Sequence, residues 1–238
     1  HRLTHTPYRS WCDECNRGRG LGEQRGAHKG RPHTIPIVGV DFWYITSDGI
    51  KSRDELEWGT DDEGAEQLKT ARDDGTIIKC LIIRCYETKC VFAHVIPSKG
   101  SQEDPYIVDL TCSDIAWLGH VKLIIKGDNE KALVTLIEKS LRVLRCQVEN
   151  LESITSEHSQ PYDSQSNGGT EVGIRAVRGL FRTLRLCLGR RIGHSIPVDH
   201  PITSWLIEFT CHVLNTNVRG ADGLTPWARA TGRAFGQR

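Results

Sequence analysis

Two aspartates are placed where carboxylates are costly unless something compensates their charge. Asp41 lies inside the apolar run that begins at Ile35, and Asp128 directly follows the run 121–127. Both runs have the composition of buried strands. Removing a carboxylate from water costs on the order of several kcal/mol unless a cation or hydrogen-bond donors offset it. A metal site built on Asp41 and Asp128 is therefore one explanation of their positions.

Each aspartate also has a simpler interpretation. Asp128 could cap a helix that begins near Glu130, because aspartate is a favoured N-cap residue. Asp41 could point outward from a strand that is only half-buried. The two positions taken singly leave both alternatives open.

Glu171 has a more informative setting, because it begins a helical segment with two distinct faces. Arginines follow it at intervals of 4, 7, 11 and 14 residues, which places them on the same helical face: Arg175, Arg178, Arg182 and Arg185. An apolar stripe at the same spacing predicts the buried face: Ile174, Val177, Phe181, Leu184 and Leu188. Charged helical faces are commonly just solvated, but four arginines against one acid favour a polyanionic partner. The preceding segment 160–169 is polar and leads into a helix N-terminus, whose free N–H groups favour phosphate.

The N-terminus carries a second group of candidate ligands. His1 and His5 form an H-x3-H pair, and Cys12 and Cys15 form a C-x2-C pair. Two histidines and two cysteines are a ligand set that tetrahedral Zn²⁺ prefers. A C-x2-C pair can also be a redox centre, although no thioredoxin-like pattern surrounds this one. His28 or His33 could replace His1 in the ligand set.

The hydrophobic pattern predicts an α/β domain. Residues 1–33 contain too few apolar residues for a core, so a metal or a partner must hold them, and 34–238 form the main domain. The predicted order is three strands, helix, strand, helix, strand, helix, helix, which gives a mixed five-stranded sheet flanked by helices. The predicted strands are a run from Ile35 to Tyr44, Thr76–Ile83, Cys90–Ile96, Val121–Ile125 and Asn150–Thr155, and the predicted helices are Pro105–Leu118, Glu130–Val148, Asn167–Arg190 and Pro201–Val218.

The bulk composition bounds the class of protein. With 38% hydrophobic and 26% charged residues, the chain is typical of a globular protein, and no apolar run reaches the ~18 residues of a membrane helix. Seven of the nine cysteines are scattered, which favours reduced thiols of the cytosol or nucleus. The net charge of +1 conceals six arginines and no acid in residues 172–191. Since the chain starts at His1 and has no Met, we expect it to be part of a longer polyprotein.

These features together resemble the integrases of retroviruses and retrotransposons, especially those of copia-like elements. The similarity covers the order and surroundings of three acids, a loop with a basic helix, and a tail. The matching residues are Asp41, Gly127-Asp128-Asn129-Glu130, Pro161-Tyr162, Ser164-Gln165-Ser166-Asn167-Gly168, Glu171, Arg175, Arg178, Leu214-Asn215, Gly223-Leu224-Thr225-Pro226-Trp227 and Gly232-Arg233-Ala234-Phe235. Two departures from the retroviral pattern are a longer interval between Asp128 and Glu171 and an acidic stretch after Asp41.

The resemblance implies a ribonuclease-H-like fold in which Asp41, Asp128 and Glu171 bind two Mg²⁺ or Mn²⁺ ions. The implied activity is trimming of the 3′ ends of element DNA and their joining to target DNA. A structural Zn²⁺ would be held by His1, His5, Cys12 and Cys15. Residues implied to contact DNA are Tyr162, Gln165, Asn167, Arg175, Arg178 and Arg182. The implied partners are double-stranded DNA of the element ends and the target, further copies of the chain and other parts of a Pol-type polyprotein. No membrane association is implied. The implied location is the nucleus, with a cytoplasmic phase.

Two other functions remain compatible with the same residues. One is a decayed element fragment that binds nucleic acid without cutting it. The other is a ribonuclease-H-like nuclease acting on RNA–DNA hybrids, a class of protein that lacks both the His/Cys cluster and the tail. Metal-dependent DNA joining separates these possibilities.

Overall fold

A computed structural model gives the fold of most of the chain. It describes residues 1–7, 9, 11–19, 35–46, 49–51, 56, 66–67, 70–71, 77–96, 105–158 and 168–236. The predicted substitutes His28 and His33, the acidic stretch apart from a few residues, and the loop residues Tyr162, Gln165 and Asn167 lie outside these ranges.

Helices and strands alternate largely as the sequence predicts. The strands are β1 (Ile37–Thr46), β2 (Gly49–Lys51), β3 (Ile78–Cys85), β4 (Val91–Val95), β5 (Lys122–Gly127) and β6 (Ser153–His158). The helices in the described part of the chain are α1 (Asp13–Arg19), α2 (Pro105–Trp117), α3 (Lys131–Gln147), α4 (Gly168–Ile192), α5 (Ile202–Asn217) and α6 (Pro226–Thr231). The five predicted strands are all present, and β2 adds a short sixth one.

The strands form one mixed sheet in the order β4-β3-β1-β5-β6, with β2 paired to β1. The first three long strands form an antiparallel meander, and β5 and β6 continue the sheet in parallel with β1. The parallel half requires crossovers, and α2 and α3 lie in those connections. The predicted α/β fold, a mixed sheet flanked by helices, is confirmed.

The sheet separates two hydrophobic cores, because successive side chains of a strand point to opposite faces. On β1, Val38, Val40 and Phe42 face the core shared with α2 and α3. Trp43 and Ile45 face the core shared with α4 and α5. The predicted apolar stripe of α4 supplies that second core through Ile174, Val177, Phe181 and Leu184.

A buried asparagine holds α5 to the edge strand β4. The Asn215 side chain accepts a hydrogen bond from the Val91 backbone N–H at 2.9 Å and donates one to the Val91 carbonyl at 2.8 Å. Asn215 is 6% exposed and Val91 is 4% exposed. The side-chain amide thus pairs with the edge backbone as a neighbouring strand would.

None of the described helices combines the length and the apolar character needed to cross a membrane. All nine cysteines are free thiols, and seven of them are buried.

Replacing Asn215 with alanine should destabilise the fold, because it leaves two buried backbone groups of Val91 without partners. Each such group costs about 1–3 kcal/mol, so we expect Asn215→Ala to lower the free energy of unfolding by about 2–4 kcal/mol in urea titrations. The matched control is Asn150→Ala, at an exposed turn position, which should change it by less than about 0.5 kcal/mol. Equal effects of the two substitutions would contradict the role given to Asn215.

Candidate functional site

The parallel pairing of β1 with β5 brings the two aspartates together. Gly39 is the register partner of Lys126, so the residues two positions further along each strand path are Asp41 and Asp128. Neighbouring strands lie about 4.8 Å apart. By the alternation of side chains along a strand, Asp41 belongs to the face of β1 covered by α4, and Asp128 is the first residue after β5. Asp41 is the one incompletely buried residue of β1, and Asp128 is also half-buried.

Helix α4 begins over the same face of the sheet. Its buried residue Thr170 lies above Gly39, because a β carbon on Gly39 would come within 2.1 Å of the Thr170 hydroxyl oxygen. Glu171 is the next residue, exposed in the first helical turn. Asp41 and Glu171 therefore lie on the same side of the sheet, and Asp128 directly follows the C-terminal end of β5.

The three acids do not form as tight a group as the N-terminal ligands. Among the described residues, a set of three or more ligand atoms within 4.8 Å of one another occurs at His1, His5, Cys12 and Cys15 alone. Asp41 is in part held locally, since its Oδ1 accepts the backbone N–H of Phe42 at 2.7 Å. Asp128 does not cap α3, whose N-cap residue is Glu130. The capping alternative for Asp128 is therefore wrong.

The arginines that follow Glu171 differ in their surroundings. Arg175 is exposed, whereas Arg178 and Arg182 are half-buried. The Arg182 guanidinium lies near the start of β2, where its Nε is 3.6 Å from the position of a β carbon on Gly49. The outer part of the predicted basic face is thus at Arg175 and Arg178, while Arg182 packs against the protein.

The four predicted zinc ligands converge at the N-terminus. Cys12 Sγ lies 3.3 Å from His5 Nδ1, and Cys15 Sγ lies 3.7 Å from the same nitrogen. Cys15 Sγ is also 3.6 Å from His1 Nε2. With Zn–N bonds of about 2.1 Å and Zn–S bonds of about 2.3 Å, the ligand nitrogen and sulfur atoms of a tetrahedral site lie about 3.6 Å apart. The distances therefore fit a four-coordinate Zn²⁺, with His1 inside the group.

Burial supports the same assignment. His5, Cys12 and Cys15 are buried while His1 is exposed. Burial raises the pKa of the Cys12 thiol, which favours its protonated form. A metal ion would reverse that preference, because the thiolate is the ligand. The cluster has the donor atoms and the spacing to hold a metal such as zinc.

The His/Cys segment is joined to α4. At the C-terminal end of that helix, the Arg190 guanidinium donates to Glu14 at 2.6 Å and to Asp13. Arg191 donates to the backbone carbonyl of Arg2 at 2.6 Å. One helix thus carries Glu171 in its first turn and contacts the His/Cys segment near its end.

Sequence patterns missed the contacts that fix α4. Tyr86 lies between two predicted strands, Thr76–Ile83 and Cys90–Ile96, and had no predicted role, yet its hydroxyl lies 2.8 Å from the Thr170 hydroxyl. Arg190 and Asp13 lie 177 positions apart, and nothing in the pattern of either residue identifies the other. The paired glycines that open α4, Gly168 and Gly169, were the available signal of a close approach at that helix end.

Comparison with known proteins shows the fold alone. No protein-family model matches this sequence, and no curated protein matches it. Among solved structures, the chain is similar to a chain of the simian T-cell lymphotropic virus intasome in complex with PP2A regulatory subunit B56 gamma, with a TM-score of 0.53 and 15% identity. The fold is integrase-like. The match covers 95% of this chain and 65% of the other.

Zinc binding can be tested apart from any activity. We expect the purified protein to contain about one zinc per chain by elemental analysis, and Cys12→Ser to reduce this to near zero, because a hydroxyl is a poor replacement for the thiolate ligand. Cys146→Ser, which changes an exposed cysteine on α3, is the matched control and should retain the metal. Zinc retained in Cys12→Ser, or absent from the unmodified protein, would exclude the assignment.

Proposed function

We propose that this chain is a retrotransposon integrase, which processes the 3′ ends of element DNA and joins them to target DNA. The observation that carries the proposal is the β1–β5 register: the paired residues Gly39 and Lys126 each lie two positions before an acid, Asp41 and Asp128, and α4, with Glu171 in its first turn, packs over β1. This ordered set of acids on an integrase-like fold supports metal-dependent phosphodiester chemistry.

The His/Cys cluster supports integration over hydrolysis of RNA–DNA hybrids. A ribonuclease-H-like nuclease needs the sheet and the acids alone. Here a segment with four potential zinc ligands is attached to α4 through Arg190. A His/Cys segment together with the sheet and the three acids is the combination that the sequence resemblance to integrases implies.

In the proposed reaction, Asp41, Asp128 and Glu171 would hold two Mg²⁺ or Mn²⁺ ions. Carboxylate oxygens are the donors these ions prefer, and bound ions would activate the attacking oxygen and stabilise the leaving one. During end trimming, a water oxygen bonds to phosphorus and the bond to the 3′ oxygen breaks. During joining, the freed 3′-hydroxyl oxygen bonds to a target phosphorus and the target's own P–O3′ bond breaks, so the number of phosphodiester bonds is unchanged.

The basic face of α4 would bind the DNA backbone close to these acids. Arg175 and Arg178 follow Glu171 by one and two helical turns, within reach of phosphates adjoining the reacting one. We propose that Tyr162, Gln165 and Asn167, in the segment before α4, share this role. We also propose that the protein acts in the nucleus and is derived from a longer polyprotein. Joining two DNA ends requires more than one subunit, so we propose a homo-oligomer. Trp205, 55% exposed and stacked on Phe209, offers an aromatic surface on α5 for such contacts.

Removing the charge of Glu171 should abolish joining and leave DNA binding intact. The assay joins a labelled pool of duplexes with randomised ends to supercoiled plasmid in Mg²⁺ or Mn²⁺. We expect Glu171→Gln to lower the yield by at least about 100-fold, because a neutral amide is a poor replacement for a metal-binding carboxylate. Glu138→Gln, at an exposed position on α3, is the matched control and should behave as the unmodified protein.

The outcomes of that assay separate the competing functions. Equal yields from the Glu171→Gln and Glu138→Gln proteins would overturn the site assignment. DNA binding without joining or nicking by the unmodified protein would indicate a nucleic-acid-binding fragment. Metal-dependent cleavage confined to RNA–DNA hybrids would indicate a nuclease instead.

The contribution of the basic face is tested by binding in different salt concentrations. The affinity for duplex DNA should fall when Arg175 and Arg178 are both changed to alanine, and the slope of log K against log [salt] should become shallower by about 2 units. Fluorescence anisotropy of a labelled duplex measures both quantities. Arg142→Ala, on the exposed side of α3, should alter neither. An unchanged salt slope in the double variant would show that DNA binds elsewhere.

A further inference from the structure

The first turn of α4 is held by a tyrosine from the turn after β3. The Tyr86 hydroxyl oxygen accepts the backbone N–H of Thr170 at 3.1 Å and lies 2.8 Å from the Thr170 hydroxyl. The N–H groups of a first helical turn have no acceptors within their own helix. Tyr86 therefore supplies a cap for α4 from a position 84 residues earlier in the chain.

Two glycines make this contact possible. A β carbon on Gly169 would lie 2.3 Å from Tyr86 Cζ, and one on Gly39 would lie 2.1 Å from the Thr170 hydroxyl oxygen. Real β carbons do not approach other atoms so closely. The helix, the tyrosine ring and β1 thus meet without space between them, two residues from Asp41 on the same strand face.

Arg84, on β3, adds a second contact to the start of α4. The Arg84 guanidinium donates to the backbone carbonyl of Gly169. Burial lowers the pKa of Arg84, and it raises the pKa of Tyr86, which remains a neutral hydroxyl able to donate and accept. Tyr86 is anchored in turn, because its own backbone N–H donates to the Ile37 carbonyl at the start of β1 at 2.8 Å.

We infer that Tyr86, assisted by Arg84, is a positioning residue that fixes the start of α4 and thereby sets the position of Glu171 relative to Asp41. Tyr86 contacts neither DNA nor metal in this role. It ties the helix that carries one acid to the strand that carries another. The inference rests on the proposed function for its catalytic consequence, but the contact itself can be measured in the absence of any reaction.

The principal test compares Tyr86→Phe with the unmodified protein by amide hydrogen exchange of a peptide covering the first turns of α4. The phenylalanine ring keeps the packing on Gly169 and removes the acceptor of the Thr170 N–H. We expect exchange in this peptide to become about 10-fold faster, while exchange in α3 is unchanged. Tyr106→Phe, which removes the hydroxyl of a tyrosine that is 53% exposed, is the matched control and should leave both unchanged.

Activity provides the second arm. In the plasmid-joining assay, Tyr86→Phe should lower the rate about 10-fold and raise the Mn²⁺ concentration required for half-maximal rate, with DNA affinity unchanged. Thr170→Val removes the other hydroxyl of the contact without changing the shape of the side chain. Combined with Tyr86→Phe, it should add little further loss, because both substitutions break the same interaction.

The outcomes distinguish this inference from the proposed function. If the unmodified protein joins DNA, Glu171→Gln does not, and Tyr86→Phe matches the unmodified protein in exchange and metal requirement, the inference is overturned and the function stands. If the unmodified protein joins no DNA while Tyr86→Phe accelerates exchange at the start of α4, the function fails and the positioning of Glu171 stands. Unchanged exchange in Tyr86→Phe overturns the inference whatever the activity.

Discussion

The parallel pairing of β1 with β5 is the constraint on which the proposed site of Asp41, Asp128 and Glu171 depends. Side-chain direction alternates along a strand, so a shift of one residue in this pairing would move Asp128 to the opposite face from Asp41. In the observed pairing Gly39 lies opposite Lys126, two residues before Asp41 and Asp128, so continuing both strand paths would direct the two carboxylates to the α4 face. Buried side chains of both strands fix the register, because Val40 and Phe42 of β1 and Leu123 and Ile125 of β5 all belong to the same core.

Helix α4 connects the two groups of candidate ligands. Its beginning is held against β1 and β3 by Tyr86 and Arg84, and its end is bonded to the His/Cys segment through Arg190. The apolar face between them fills the second core, so the helix is fixed along much of its length. A metal ion at the N-terminus would therefore stabilise a segment that already contacts the helix bearing Glu171. Both the acids and the cluster depend on how this helix sits on the sheet.

Much of the fold follows from local patterns. The 3.6-residue spacing predicted α3 to within one residue of each end, and the apolar runs predicted the five long strands of the mixed sheet. Short elements were missed because β2 and α6 contain too few residues to show a period. The start of α6 did carry a signal, since Thr225 accepts the Ala228 N–H at 3.1 Å and proline follows it. The acids could be chosen from sequence because each adjoins a long element. Sequence alone could not predict the β1–β5 register, the place of His1 in the cluster or the Tyr86 contact. Each depends on residues brought together by tertiary packing.

The most direct test of the central claim is a crystal structure of the protein soaked in Mn²⁺, with anomalous scattering used to locate the ion. If Asp41 and Asp128 bind a metal ion together, an anomalous peak will lie between their carboxylates, in contact with both, and will be lost in a crystal of Asp128→Asn. A Mn²⁺ site elsewhere on the protein, with Asp41 and Asp128 pointing to opposite faces of the sheet, would contradict it.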